Sequence, residues 1–206
     1  MMETEVVRYL LRQEKGKRAV LARLVLYCAP FLKRLKISAM IWMPEVLSEE
    51  LESLVNEMGV FCERLDRKRG EVLIFLYREE ELSRYLMRAK QEAFLLNCGY
   101  RRGSLQEKIR QFAERISREK EKGTFPQEAG IFLGYPFEDV EGFAGNSGKE
   151  CVLSGYWKVY GHRVEKEMLF ALYDQMKVWA VNEFLAGKTA GEICRERTRQ
   201  KVLDFD

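Results

Sequence analysis

The chain has 206 residues, 47% of them hydrophobic and 12% aromatic, and its formal net charge is +3. That is enough for one domain with a sizeable core, and the aromatic content excludes a disordered chain. So small a charge does not by itself name nucleic acid as a partner, and no apolar run approaches the ~20 residues that cross a membrane.

Residues 4–14 and 18–28 read as helices parted by Gly16, the second striped by Val20, Leu21, Leu24, Val25 and Cys28. Proline is accepted in a first helical turn, so residues 30–35 predict a short helix opened by Pro30. Residues 37–43 read as a buried strand closed by Pro44, after which Ser48 is expected to cap a helix whose inner face is Leu51, Leu54, Val55 and Met58. Residues 60–65 and 72–77 have strand composition and flank a polar loop, 66–70, that ends in glycine, the pattern of an antiparallel hairpin. The second run is apolar at every position, which predicts a central strand covered on both faces.

Residues 79–98 read as one helix with Leu82, Leu86, Ala89, Ala93 and Leu96 inward and Gly99 as its stop. Ser104 and Glu107 form a capping box ahead of a helix striped by Leu105, Ile109, Phe112 and Ile116. Short helices are expected over 126–133 and 137–144 and a strand over 151–160. A long helix over 164–185 is expected to turn Val164, Met168, Leu172, Met176, Trp179 and Phe184 inward. Strict β-α-β alternation is missing. The pattern predicts an α+β fold, a small and mainly antiparallel sheet of about four strands covered by several helices. It occupies a single domain over 1–188, followed by a charged, frayed helix over 189–206.

The five cysteines, Cys28, Cys62, Cys98, Cys151 and Cys194, are odd in number and far apart, and with His162 as the one histidine they form no metal-ligand pattern. Reduced thiols, and an opening segment without the features of a secretion signal, predict a cytoplasmic protein. Cys28 is the candidate catalytic residue. A helix opened by Pro30 would place its thiol at a helix N-terminus with Lys33 and Arg34 nearby, which lowers a thiol's pKa for redox or transfer chemistry. The commoner arrangement is a buried, inert cysteine that ends the preceding helix. Arg8, Arg12, Lys15, Lys17, Arg18, Arg23, Lys33, Arg34 and Lys36 stand against Glu14 alone and form a candidate basic face for an adaptor that binds protein or nucleic acid. No aromatic platform interleaves with them, which argues against nucleic acid. Residues 145–149 imitate part of a phosphate-binding loop, but Phe143 and Glu150 stand where the full pattern needs Gly and Ser or Thr.

The least generic residues lie in two blocks. One is Phe125-Pro126-Gln127-Glu128-Ala129-Gly130-Ile131-Phe132-Leu133-Gly134-Tyr135-Pro136, and the other is Ser154-Gly155-Tyr156-Trp157-Lys158-Val159-Tyr160-Gly161. Gly134-Tyr135-Pro136 makes a tight connection that holds Tyr135 in a defined direction. Strand alternation puts Ser154, Tyr156, Lys158 and Tyr160 on one face, suited to a planar, anionic ligand, and Trp157 on the other. Packing is the more frequent use of such aromatics.

The two blocks resemble the signature of an uncharacterised bacterial family known as a domain of unknown function. That family has a Phe-Pro-His-Glu block running into Leu-Gly-Tyr-Pro, then Gly-Tyr-Trp-Lys-Val-Tyr-Gly. The resemblance runs from about Leu24 through the Phe94–Tyr100 block to Gly161, and it implies no activity and no cofactor. Gln127 replaces the family's histidine while Glu128 is kept, so imidazole chemistry is lost at this position. The function expected from these residues is an accessory protein that binds a small planar or anionic ligand between residues 125–136 and 152–160. Glu128, Tyr135, Tyr156, Lys158 and Tyr160 are its expected contacts. An enzyme using Cys28 and an adaptor using the basic face are the alternatives.

Overall fold

A three-stranded antiparallel sheet divides the core in two. The computed structural model describes Arg12 and residues 14–195; the helix expected over 4–14 lies almost wholly outside these described residues. Strands β1 (Ser38–Pro44), β2 (Phe61–Lys68) and β3 (Glu71–Tyr77) lie in the order β1-β3-β2. As the apolar run 72–77 predicts, β3 is central. Its Val72, Ile74 and Leu76 enter one hydrophobic cluster, and its Leu73, Phe75 and Tyr77 enter another on the opposite face. The hairpin loop is shorter than the sequence suggests. Pairing continues to Lys68 and Glu71, leaving Arg69 and Gly70 with φ of 50° and 79°. Positive φ at both central residues is the turn that matches the twist of paired strands. The register of β2 slips between Arg64 and Asp66, and the extra residue, Leu65, is turned into the second cluster.

Ten α-helices are present among the described residues. On the Ile74 face pack α1 (Gly16–Tyr27), α2 (Ala29–Leu32) and α3 (Ser48–Met58). On the Phe75 face pack α4 (Glu79–Leu86), α5 (Ala89–Asn97), α6 (Leu105–Glu121), α7 (Ala129–Phe132) and α8 (Phe137–Gly145). A small hairpin of β4 (Leu153–Ser154) and β5 (Lys158–Val159) leads to α9 (Arg163–Leu185) and α10 (Ala190–Arg195). The C-terminal part of α9 and α10 return to the first cluster through Ala180, Phe184 and Ile193. The result is a single α+β domain, and no helix among the described residues is long and apolar enough to cross a membrane.

Four local expectations are corrected. The strand expected over 151–160 does not join the main sheet; only four of its residues pair, as a separate hairpin, because 155–157 bend back. Ser48 does not cap α3. A 3-10 turn, Glu45–Leu47, runs directly into the helix, so Ser48 is already helical and its hydroxyl has no hydrogen-bond partner. The helix over 79–98 is broken at Arg88, whose ψ of 142° is extended. The break changes the helical phase, so Gln91 and Leu95 are buried and Ala89 and Ala93 exposed. Finally, α9 buries Met176 and Phe184 as expected, but joins them with Phe170, Tyr173 and Ala180, while Val164, Met168 and Trp179 face solvent. At the other end of α9, the described part of the C-terminal segment is packed, with Ile193 and Cys194 buried.

The capping box at Ser104 and Glu107 closes as read, and Phe112 from that helix stacks flat on Phe132 with centroids 4.1 Å apart. Both rings are fully buried. Phe132→Ala should therefore cost about 3–5 kcal/mol, read as a fall in the urea midpoint with unchanged slope. A cost below about 1 kcal/mol would mean that this cluster does not hold α7 in place.

Candidate ligand-binding site

The two unusual blocks meet around one buried carboxylate. Gly134 has φ of +63°, and a Cβ there would lie 2.8 Å from the Ile37 side chain, so glycine alone fits this turn. The turn aims Tyr135 outward, and the Tyr135 carbonyl accepts a hydrogen bond from the Tyr85 hydroxyl at 2.7 Å. Pro136 then starts α8, which carries Asp139 into the interior, 2% exposed. One Asp139 oxygen accepts from the Trp157 indole N–H at 2.8 Å, and the other accepts from the Tyr160 backbone N–H, also at 2.8 Å. Lys166 of α9, fully buried, donates to Glu138 at 2.7 Å and lies 3.7 Å from Asp139. Two glycines permit this approach: a Cβ on Gly142 would lie 2.5 Å from Tyr160, and one on Gly155 would lie 2.5 Å from the Phe170 ring.

Tyr135 and Trp157 stack at 4.8 Å and form a wall between two concavities. One face of the wall closes a cavity of about 280 Å³ between the 125–136 segment and the small hairpin. Its apolar lining includes Leu133, Val140 and Phe143, and its polar groups come from Gln127, Asp139, Tyr156 and Lys158. The other side borders an open groove of about 800 Å³ that α5 lines with Lys90, Gln91 and Phe94. Lys36 lies over the Tyr135 ring at 4.7 Å, and enclosure of its ammonium lowers its pKa to about 8, with the neighbouring Cys28 opposing that shift.

The candidate residues therefore divide. Tyr135, Tyr156 and Lys158 border the same 280 Å³ cavity. The Lys158 ammonium donates to the Gly148 carbonyl at 2.6 Å, and the Tyr156 hydroxyl donates to Asp174 at 3.0 Å. Burial, with Asp174 beside it, pushes the Tyr156 hydroxyl well above its ordinary pKa, and burial pushes that of Tyr135 up to about 12. Glu128 does not line the cavity, although its neighbours Gln127 and Ala129 do. It is fully buried under α6, where it accepts from the Tyr100 hydroxyl at 3.1 Å and pairs with the Arg115 guanidinium. Tyr160 also lies outside the lining, its enclosed hydroxyl without a hydrogen-bond partner.

Cys28 occupies both expected positions at once, ending α1 and preceding α2. Burial decides its chemistry and pushes the thiol up to about 12 despite nearby Lys36. Arg8 of the basic segment lies outside the described residues; among those described, Lys33 is buried against Glu183, Arg18 pairs with Glu14, and Arg34 pairs with Glu81. No group of three or more His, Cys, Asp or Glu able to hold a metal ion occurs among the described residues.

Sequence reasoning missed Asp139 and Lys166. In sequence Asp139 is indistinguishable from an ordinary acidic residue in the first turn of a helix, and Lys166 lies off the stripe expected for α9. The available signal was a second stripe through Phe170, Tyr173, Ala180 and Phe184, which has Lys166 at its head. A family model described as "Protein of unknown function (DUF3793)" matches residues 24–194, which contain the whole site. No curated protein and no solved structure matches the chain.

Asp139→Ala should cost about 3–5 kcal/mol, because it leaves the indole N–H and the Tyr160 amide unanswered and removes a carboxylate facing buried Lys166. Urea unfolding followed by tryptophan fluorescence would measure the cost, and a near-neutral result would remove Asp139 from its central place. Cys28 should label with a disulfide reagent at pH 8 far more slowly than a free thiol, and appreciably only as the pH approaches 12 or the protein unfolds. Labelling at the free-thiol rate would restore it as a nucleophile.

Proposed function

The chain belongs to the DUF3793 family of unknown function, and from the chemistry of its own residues we propose that it binds a small planar ligand carrying an anionic group. The supporting observation is the 280 Å³ cavity, which combines an aromatic wall, Tyr135 and Trp157, with an apolar interior and a rim bearing Gln127 and Lys158. Binding sites generally take this form, with apolar walls for area and a few polar groups for orientation. In this reading the ligand ring lies against Tyr135, the Lys158 ammonium meets its anionic group, and the Gln127 amide hydrogen-bonds its edge. Glu128 and Tyr160 support the site from behind. The ion pair of Glu128 with Arg115 fixes the start of α7, and the Tyr160 backbone holds the hairpin to Asp139. Five free cysteines fit a reducing compartment, and we place the protein in the cytoplasm as an accessory binding protein.

The test is a titration of tryptophan fluorescence with indole-3-carboxylate and salicylate, each compared with its uncharged amide. The acids should bind more tightly than the amides, and Lys158→Ala should weaken the acids about tenfold or more while leaving the amides unchanged. Gln127→Leu should weaken both. Absence of a response to all four probes, or equal affinity of acid and amide, would overturn the reading.

A further inference from the structure

We infer that the exposed face of α9 is the interface of a two-fold, antiparallel dimer of this chain. The face carries Val164, Met168, Ala171, Gln175, Val178, Asn182 and Leu185, and all seven are exposed. Their spacing alternates between four and three residues over the whole helix, the repeat that makes a continuous seam between two helices. Val164 is 68% exposed, Met168 63%, Val178 45% and Leu185 56%, and Trp179 beside them is 50% exposed. The opposite face of α9 is already committed to the protomer's core through Phe170, Met176 and Phe184. A surface helix needs one apolar stripe to hold it to its own domain, and α9 has two.

A second copy fits this seam because the pattern complements itself. A two-fold axis at Gln175 sets that residue against its own copy. The same axis places Met168 against the partner's Asn182, Ala171 against the partner's Trp179, and Leu172 against the partner's Val178, with Val164 one residue from the partner's Leu185. Small side chains then meet large ones. An amide both donates and accepts, so Gln175 is satisfied by an identical group, and a polar residue at the centre of a seam sets register and partner number. Charge sets the direction. A parallel pair would bring the exposed Glu165 and Glu167 of both copies together, whereas an antiparallel pair sets them at opposite ends of the seam. The seam runs the length of α9 and is widened by Leu172 and Trp179; a standard specific interface needs about 800 Å² from each partner.

The experiment is sedimentation velocity on the full chain at micromolar concentration. The expected mass is twice the 24.2 kDa of one chain. Met168→Glu and Val178→Glu each change a residue exposed in the protomer, so both variants should keep the parent's circular dichroism while associating at least about 100-fold more weakly. Gln175→Cys should form a disulfide between chains on mild oxidation, and Val164→Cys should not. A monomer at ~100 µM, or a dimer that survives both glutamates, overturns the inference. Cross-linking through Val164→Cys in place of Gln175→Cys overturns the antiparallel arrangement. A monomer that dimerises only after residues 1–13 are removed also overturns it, and gives the face to the chain's own N-terminal segment.

Discussion

Asp139 is the point on which the site depends. A carboxylate that is 2% exposed is costly to bury unless its oxygens are answered. Here they are answered by an indole N–H, a backbone N–H and a nearby buried ammonium, drawn from the hairpin and from α9. Each donor belongs to a segment that could otherwise move separately. Because Asp139 sits in the first turn of α8, its charge also lies near the positive end of that helix. Fixing Trp157 by its nitrogen leaves the faces of its ring for packing: Tyr135 stacks on it, and Phe170 meets it at 89°. The wall of the cavity is thus an aromatic pair whose orientation is set by a charge behind it.

The site stands outside the two clusters that the sheet separates. It is built on a third, smaller cluster of Trp157, Val159, Phe170 and Tyr173, with Tyr135 packed against it. Tyr135 also packs against the Phe75-side cluster, so this one ring joins the cavity wall to the main core. Lys36 lies over the ring, and Tyr85 holds its backbone carbonyl. A ligand pressing on Tyr135 would meet a side chain restrained from several directions, which reduces the ordering cost of binding.

Charge is used in two ways in this protein. At the surface, pairs such as Arg18 with Glu14 or Arg163 with Glu167 lie one helical turn apart and contribute little. Inside, Lys33 with Glu183, Glu128 with Arg115 and Lys166 with Glu138 join segments far apart in sequence, and removing one member of such a pair leaves the other exposed to the cost of burial. Of the described residues in the basic stretch, Lys33 belongs to the interior and Lys36 to the back of the Tyr135 ring.

What the sequence determined by itself was local. The fully apolar run of β3 required cover on both faces; Ser104 and Glu107 required a helix start; and Gly134, followed by a tyrosine and a proline, required a turn that directs Tyr135. In each case the deciding interactions lie within a few residues, so periodicity and side-chain chemistry suffice. The tertiary structure alone decided the rest. Both stripes of α9 satisfy a helical repeat and share Met176 and Phe184, and only the arrival of Trp157, Tyr135 and the α1 side of the core selects Phe170 and Tyr173 over Val164 and Met168. The break at Arg88 follows from the different faces that α4 and α5 bury. Asp139 is separated by 18 residues from the indole it orients, and nothing in its own neighbourhood distinguishes it from the acidic residues that open many helices. Its role arises when the hairpin folds back over α8, an event that depends on contacts between segments and leaves no local periodic trace.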